Sequence, residues 1–146
     1  MSKKIETKEW KPDYGPDKFN ETVKKSGVTA VGARDFLIAY NVNLNTTSTR
    51  RANSIAFDIR EAGRIKREGG KLDGKIIKDK KGNPLREPGM FKSVKGIGWF
   101  IKEYNIAQIS YNLTDINVSP LHLVFDKTCE QATKKGIRVT LSLIHI

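Results

Sequence analysis

Between residues 35 and 44 apolar and polar positions alternate. Phe36, Ile38, Tyr40, Val42 and Leu44 fall on one side of the chain, and Leu37, Ala39, Asn41 and Asn43 on the other. A period of two predicts a strand with one apolar face and one face that carries amides. Asn45, Thr46, Thr47 and Ser48 follow, four side chains that bond nearby backbone N–H groups and so suit a turn and a helix N-cap. Ala52, Ile55, Ala56, Ile59 and Gly63 then recur at three- and four-residue spacing. They predict a helix that buries this stripe, with Arg50, Arg51, Asn53, Asp58 and Arg60 off it. Asn41 and Asn43 lie on the strand face that this helix does not need.

Two more strands are expected between residues 93 and 115. Ile97, Trp99 and Ile101 alternate with Gly96, Gly98 and Phe100; Glu103, Tyr104 and Asn105 make the turn; Ala107, Ile109, Tyr111 and Leu113 alternate with Gln108, Ser110 and Asn112. Ser119 as N-cap and Pro120 at the first helical position open a second helix. Its buried stripe is Leu121, Val124, Phe125, Thr128 and Ala132, Gly136 ends it, and residues 137–140 begin a last strand. Strand, helix, strand, strand, helix, strand is the ferredoxin-like βαββαβ order. The expected class is therefore α+β, an antiparallel sheet with both helices on one face and the last strand cut short.

If the three strands are neighbours, Asn41, Asn43, Gln108, Ser110 and Asn112 share one sheet face. Such a row suits a flat ligand rich in donors and acceptors, a pterin or an amino-acid head group; an ordinary solvated sheet face reads the same way. Gly96 and Gly98 share a face with little bulk, which lets a ligand or a second backbone come close.

The flanks are polar. Residues 1–29 space Trp10, Tyr14 and Phe19 among Pro12, Gly15 and Pro16, a composition that argues against a regular element and for an extended arm or linker. Residues 30–140 make the domain. Within it, residues 64–95 form a basic insertion of eleven Lys or Arg against four acids, punctuated by glycines and prolines. A short ribbon strand is expected at 75–80, turning at Lys81, Gly82 and Asn83. Charge runs are usually solvated surface; the sharper reading is an electropositive rim that steers an acidic substrate.

Composition narrows the classes. At 146 residues and a net charge of +11, the chain suits one compact domain with an anionic partner. The lone Cys129 makes no internal disulfide and fits a reducing cytosol, so a cytoplasmic protein is expected. No apolar run is long enough to cross a membrane, and no membrane partner is expected. There is no Gly-rich phosphate loop, no Cys/His cluster with metal spacing and no nucleophile–base signature. Outside the last six residues the only histidine is His122, at the start of the second helix.

The blocks GARDFLIAYNVNLN, IREAGR, KGIGWFI, AQISYNLTD and PLHLVF stand in the order found in the second half of the formiminotransferase domain. The chain resembles the glutamate formimidoyltransferase family, whose animal members are fused to a cyclodeaminase, from Trp10 to Thr140. The resemblance implies transfer of a formimino group from N-formimino-L-glutamate to tetrahydrofolate, the co-substrate, in histidine degradation, without a metal. It implies a catalytic histidine in a first half absent here, so no catalytic residue is assigned in this chain, which is expected to be inactive alone. The expected partners are folate, with or without a polyglutamate tail, N-formimino-L-glutamate, the N-terminal subdomain and a second copy in a homodimeric enzyme, with no nucleic acid. Carried over by position, the folate-contacting residues are Gly15, Pro16, Phe19 and Gly27, then Asp58, Ile59 and Arg60; Asn41, Asn43, Gln108 and Asn112 join them from the sheet-face reading. Animal members have Asn-Leu-Arg at 58–60, so Asp58 replaces an amide by a carboxylate. Arg60 pairs with a ligand carboxylate in fork geometry, or with Asp58 or Glu61 on the surface.

An alternative comes from another class. Residues 95–101 resemble the RNA-recognition-motif octamer, and 37–44 loosely resemble its hexamer. Against this, Ile97 stands where the octamer has a stacking aromatic, the two segments lie too far apart, and an amide-rich face lacks stacking platforms for bases. Finally, residues 141–146, back-translated, match the transposon end used in preparing sequencing libraries. They are expected to be adapter read-through, which gives His145 no role.

Overall fold

A computed structural model of the chain describes residues 10–33, 35–70, 74–79 and 82–145. The chain divides into two compact units, residues 1–34 and 35–146.

In the first unit the polar arm is not wholly extended. Among its described residues it forms a short α-helix, α1 (Glu21–Ser26). The cause is local capping: Asn20 accepts from the Val23 N–H at 2.9 Å, Glu21 opens the first turn, Lys24 and Lys25 lie in the last, and Gly27 ends the helix at φ 74°. Pro12, Gly15 and Pro16, the residues that argued against an element, all precede it. Val23 is the side chain that α1 buries.

The second unit holds strands β1 (Ile38–Leu44), β2 (Arg64–Ile65), β3 (Arg86–Glu87), β4 (Val94–Ile101), β5 (Ile106–Leu113) and β6 (Val139–His145), with helices α2 (Thr49–Ile59) and α3 (Leu121–Lys134). Its main sheet runs β4-β5-β1-β6, each neighbour antiparallel. The class is α+β, as expected. β1 starts three residues later than the alternation implied, leaving Phe36 outside the sheet and 89 % exposed.

The core lies between the sheet and both long helices. Tyr40, Val42 and Leu44 of β1 and Ala107, Ile109, Tyr111 and Leu113 of β5 meet Ala52, Ile55, Ala56 and Ile59 of α2 and Val124 and Ala132 of α3. Each fully buried Ile here contributes about 1.5–3 kcal/mol relative to exposure. The Tyr40 and Tyr111 rings stack with centroids 6.3 Å apart, and burial pushes the Tyr111 phenol well above its ordinary pKa. α2 starts where the polar run predicts: Ser48 Oγ accepts from the Arg51 N–H.

β4 meets α2 closely at Gly98, and Gly96 makes room beside it for the Tyr111 ring of β5. A Cβ on Gly98 would lie 2.5 Å from the Asn53 backbone nitrogen; one on Gly96 would lie 2.7 Å from the Tyr111 ring. The low-bulk face therefore admits a second backbone rather than a ligand.

Two boundaries differ from expectation. Pro120, not Ser119, is the N-cap of α3. The Ser119 hydroxyl instead donates to the Lys92 carbonyl at 2.6 Å, tying the helix entry to the segment before β4. And β6 is not cut short at Thr140: it continues to His145, paired from Leu44↔Val139 to Ala39↔His145. Leu141, Ser142, Leu143 and Ile144 keep the period of two that lets them extend along the free edge of β1.

The basic insertion is a ribbon folded against α2. β2 and β3 pair Arg64↔Glu87 and Ile65↔Arg86, with single bridges at Arg67↔Ile76 and Lys78↔Pro84. The strand expected at 75–80 is reduced to these bridges; Lys80 and Lys81 lie outside the described residues. The ribbon is fastened at its base: Met90 and Phe91 donate to the carbonyls of Asp58 and Ile59 at 2.8 and 3.0 Å. Gly63 and Gly89 permit this seam, since a Cβ on either would fall within 2.0 Å of a facing carbonyl oxygen.

Candidate functional site

The sheet face turned away from α2 and α3 carries the residues that the alternation sets opposite the core. In register, Trp99 on β4, Gln108 on β5, Asn43 on β1 and Leu141 on β6 form one row; Ile97, Ser110, Asn41 and Leu143 form the next; Lys95, Asn112 and Ala39 form a third. Asn41, Asn43, Gln108 and Asn112 are thus on one face.

The first row is a hydrogen-bonded relay. Trp99 Nε1 donates to Gln108 Oε1 at 3.0 Å, and Gln108 Nε2 donates to Asn43 Oδ1 at 2.6 Å. This fixes both amides, so the Asn43 amino group is left as the donor at the end of the row. Gln108 and Asn43 are both buried, on the face turned away from α2 and α3. In the next row Asn41 Oδ1 is buried and has no hydrogen-bond partner among the described residues. An unpaired buried carbonyl costs about 1–3 kcal/mol. Such a cost persists where something laid against the face supplies the donor. The rims of the face are apolar and open: Ile97 and Trp99 on one edge, Leu141 and Leu143 on the other, are 42–58 % exposed.

The triplet at 58–60 does not act as one unit. Ile59 is wholly buried in the core, and its carbonyl accepts from Phe91. Asp58 turns toward the basic ribbon, where Arg64 and Lys135 both reach its carboxylate. Arg60 bonds neither Asp58 nor Glu61. Its Nε donates to the Gly63 carbonyl at 3.0 Å and its Nη1 to the Gly96 carbonyl at 3.1 Å, and the guanidinium lies 3.9 Å over the Phe57 ring. Arg60 also borders a groove of about 490 Å³ that runs past Gly96 and Ile97 to Ser110 and Asn112. Of the triplet, then, Arg60 is the residue brought to the amide-bearing face.

Gly15, Pro16, Phe19 and Gly27 belong to the first unit. Pro16 and Gly27 line a pocket of about 660 Å³ there, with Gly27 also ending α1; Phe19 is partly exposed. His122 is exposed on α3. Among the described residues no three His, Cys, Asp or Glu side chains are grouped as metal ligands would be.

Two positions escaped the sequence reading. Trp99 is the donor that starts the relay, and its signal was available: its alternation partners put it in register with Gln108. Asn53 reads as a solvent-facing helix residue, yet its side chain bonds both the N–H and the C=O of Gly98, at 2.9 and 3.0 Å. It acts as a peptide mimic against the edge of β4, a contact across 45 residues that no local pattern shows.

The fold and this face define an α+β domain that offers fixed amide donors and an unpaired acceptor to whatever lies against its open sheet. The formiminotransferase domain family matches residues 39–145, and the chain belongs to that family. It is similar to the formimidoyltransferase-cyclodeaminases of Gallus gallus (42 % identity over 132 residues, 90 % of this chain and 20 % of the relative) and of Dictyostelium discoideum (39 % over 144 residues, 99 % and 22 %). It is similar also to the glutamate formimidoyltransferase of Thermoplasma acidophilum, 34 % over 137 residues, 94 % of this chain and 36 % of the relative. The chain thus spans about a fifth to a little over a third of the length of these curated relatives.

Proposed function

We propose that this chain is the folate-holding C-terminal part of a glutamate formimidoyltransferase, a ferredoxin-like subdomain acting in the cytoplasm in histidine breakdown. The β4-β5-β1-β6 order with both long helices on one side supports the ferredoxin-like reading. Family membership supports the reaction class. In that reaction N5 of tetrahydrofolate bonds to the formimino carbon, the carbon–nitrogen bond to glutamate breaks, and the proton from N5 passes through a base to the departing amine. The base is a histidine outside this chain; the chain's own part is positioning. Alone it binds without turnover.

The observation that carries this reading is the fixed relay beside an unpaired acceptor. A pterin edge presents donors and acceptors side by side, and Asn43 and Asn41 offer it one of each. Arg60, at the rim of the adjoining groove, suits a carboxylate of the folate's glutamate. Gln108 and Asn112 complete the proposed folate contacts on this face; Gly15, Pro16, Phe19, Gly27, Asp58 and Ile59 are proposed contacts by family position alone.

Calorimetric titration with 5-formyltetrahydrofolate tests this. Asn41→Leu is expected to weaken binding about tenfold or more while leaving thermal stability equal or higher, because it removes a buried acceptor with no partner. Arg60→Ala is expected to weaken binding as well. No folate heat from the unsubstituted chain, or heat indifferent to Asn41→Leu, sinks the reading.

A further inference from the structure

On the other side of the sheet the basic ribbon encloses a cleft. Its walls are the outer side of α2, the β2–β3 ribbon and the last turn of α3, and its volume is about 700 Å³. Arg50, Arg60, Arg64, Arg67, Arg86 and Lys135 line it with the carboxylates of Asp58 and Glu87; leaving aside Arg50, which has a partner of its own, the described lining residues carry three positive charges in excess. We propose that this cleft is a binding site for a small polyanion, a ligand with two or more neighbouring phosphate or carboxylate groups.

Three of the guanidinium groups are held in place by backbone carbonyls. Arg60 is fixed by the carbonyls of Gly63 and Gly96, Arg67 by the carbonyl of Gly74 at 2.9 Å, and Arg86 by a long bond to the carbonyl of Ala62. A carbonyl orients a cation but does not cancel its charge. Asp58, the carboxylate that does engage cations, is already shared between Arg64 and Lys135. Burial and the charge of Arg86 lower the pKa of Arg60. Burial and the charge of Arg64 hold the Lys135 ammonium below its ordinary range even with the Asp58 carboxylate 2.9 Å away. Unrelieved repulsion in a concave, partly desolvated space is lowered when an anion enters.

The geometry sets the ligand class. Planar guanidinium forks accept oxyanions in pairs, and several converging from two walls favour adjacent anionic groups over one. The volume falls in the usual range for small-molecule sites. Phe57 adds one apolar wall. The ribbon is seamed to α2 at Gly63 and Gly89, so the two walls are set at a fixed spacing before any ligand arrives. The amide relay is on the opposite face of the sheet, so an anion here leaves it open; Arg60 borders both this cleft and the groove beside the relay.

Calorimetry with pyrophosphate and, separately, with citrate at constant ionic strength tests the site. Saturable binding of one equivalent is expected from at least one of them. Heat from pyrophosphate alone assigns a phosphate ligand, from citrate alone a carboxylate ligand, and from both a site that reads charge spacing. The double variant Arg67→Ala, Arg86→Ala is expected to weaken binding about ten- to a hundredfold, and Arg86→Lys to recover part of it. Lys102→Ala removes one charge in the β4–β5 turn, outside the cleft, and is expected to change affinity less than twofold, on the order of an exposed charge. Circular dichroism and the melting temperature of each variant separate lost binding from lost folding. Absence of saturable binding to either anion overturns the proposal, as does equal weakening by Lys102→Ala in folded protein.

Discussion

Asn53 shows how one side chain joins two elements. Its amide takes the place of a neighbouring strand at Gly98 and, through a third bond at 3.1 Å, also holds the carbonyl of Thr49 one helical turn back. Asn53→Ala would leave the outward N–H and C=O of Gly98 unpaired in a half-buried seam. The expected loss is about 2–3 kcal/mol, one moderate penalty for each orphaned group. Urea unfolding reads it as a lower midpoint with an unchanged slope; a loss below about 0.5 kcal/mol, the range of ordinary surface substitutions, would mean that water replaces the amide. The residue's polarity was plain in the sequence, and so was its place off the apolar stripe. Its partner was not, because helical spacing reports only which face a residue occupies. Asn41 and Asn43 are the contrary case: period two alone put them on the open face, and the register then supplied Gln108 as their neighbour.

At the scale of elements, the packing of β4 on α2 and on the Tyr111 ring depends on two residues without side chains. The same two glycines respond differently to a methyl group. At Gly98 the added carbon meets helix backbone, which cannot yield without moving α2; at Gly96 it meets the edge of the Tyr111 ring. Gly98→Ala is expected to destabilise by about 1–3 kcal/mol, as overpacking does, and Gly96→Ala by less. Thermal melts of the two variants check the order, and a reversed order would place the tight seam at Tyr111 instead. Most elements were legible because their apolar periods are unbroken: β1, α2, β5 and α3 follow their stripes closely. The departures are where a polar bond overrides a local habit. Asn20 nucleated a helix in a segment rich in breakers, and Ser119, which looked like a cap, was taken by the Lys92 carbonyl across 27 residues. No stripe reports either event.

For the whole molecule the dominant fact is charge. The run of cations at 64–95 was visible as composition, but its convergence with Arg50, Arg60 and Lys135 was not, since α2, the ribbon and α3 meet only in the folded chain. A net charge of +11 opposes compaction, and part of it lines one cleft. The ion pairs that salt would weaken are chiefly exposed, such as Lys24–Glu21 and the two lysines on Glu130, and pairs of that kind contribute about 0–1 kcal/mol each. Repulsion should therefore win, and the melting temperature should rise as sodium chloride increases from roughly 0.01 M to 1 M, over which the screening length falls from about 30 to 3 Å. A melting temperature that falls instead would show that the half-buried bridge of Asp58 to Arg64 and Lys135 outweighs the repulsion around it. Screening by chloride acts on every surface charge alike, whereas a seated polyanion acts by mass action on the folded state only. The melting gain from pyrophosphate over chloride at equal ionic strength should accordingly vanish in the Arg67→Ala, Arg86→Ala variant, while its gain from chloride alone shrinks but persists.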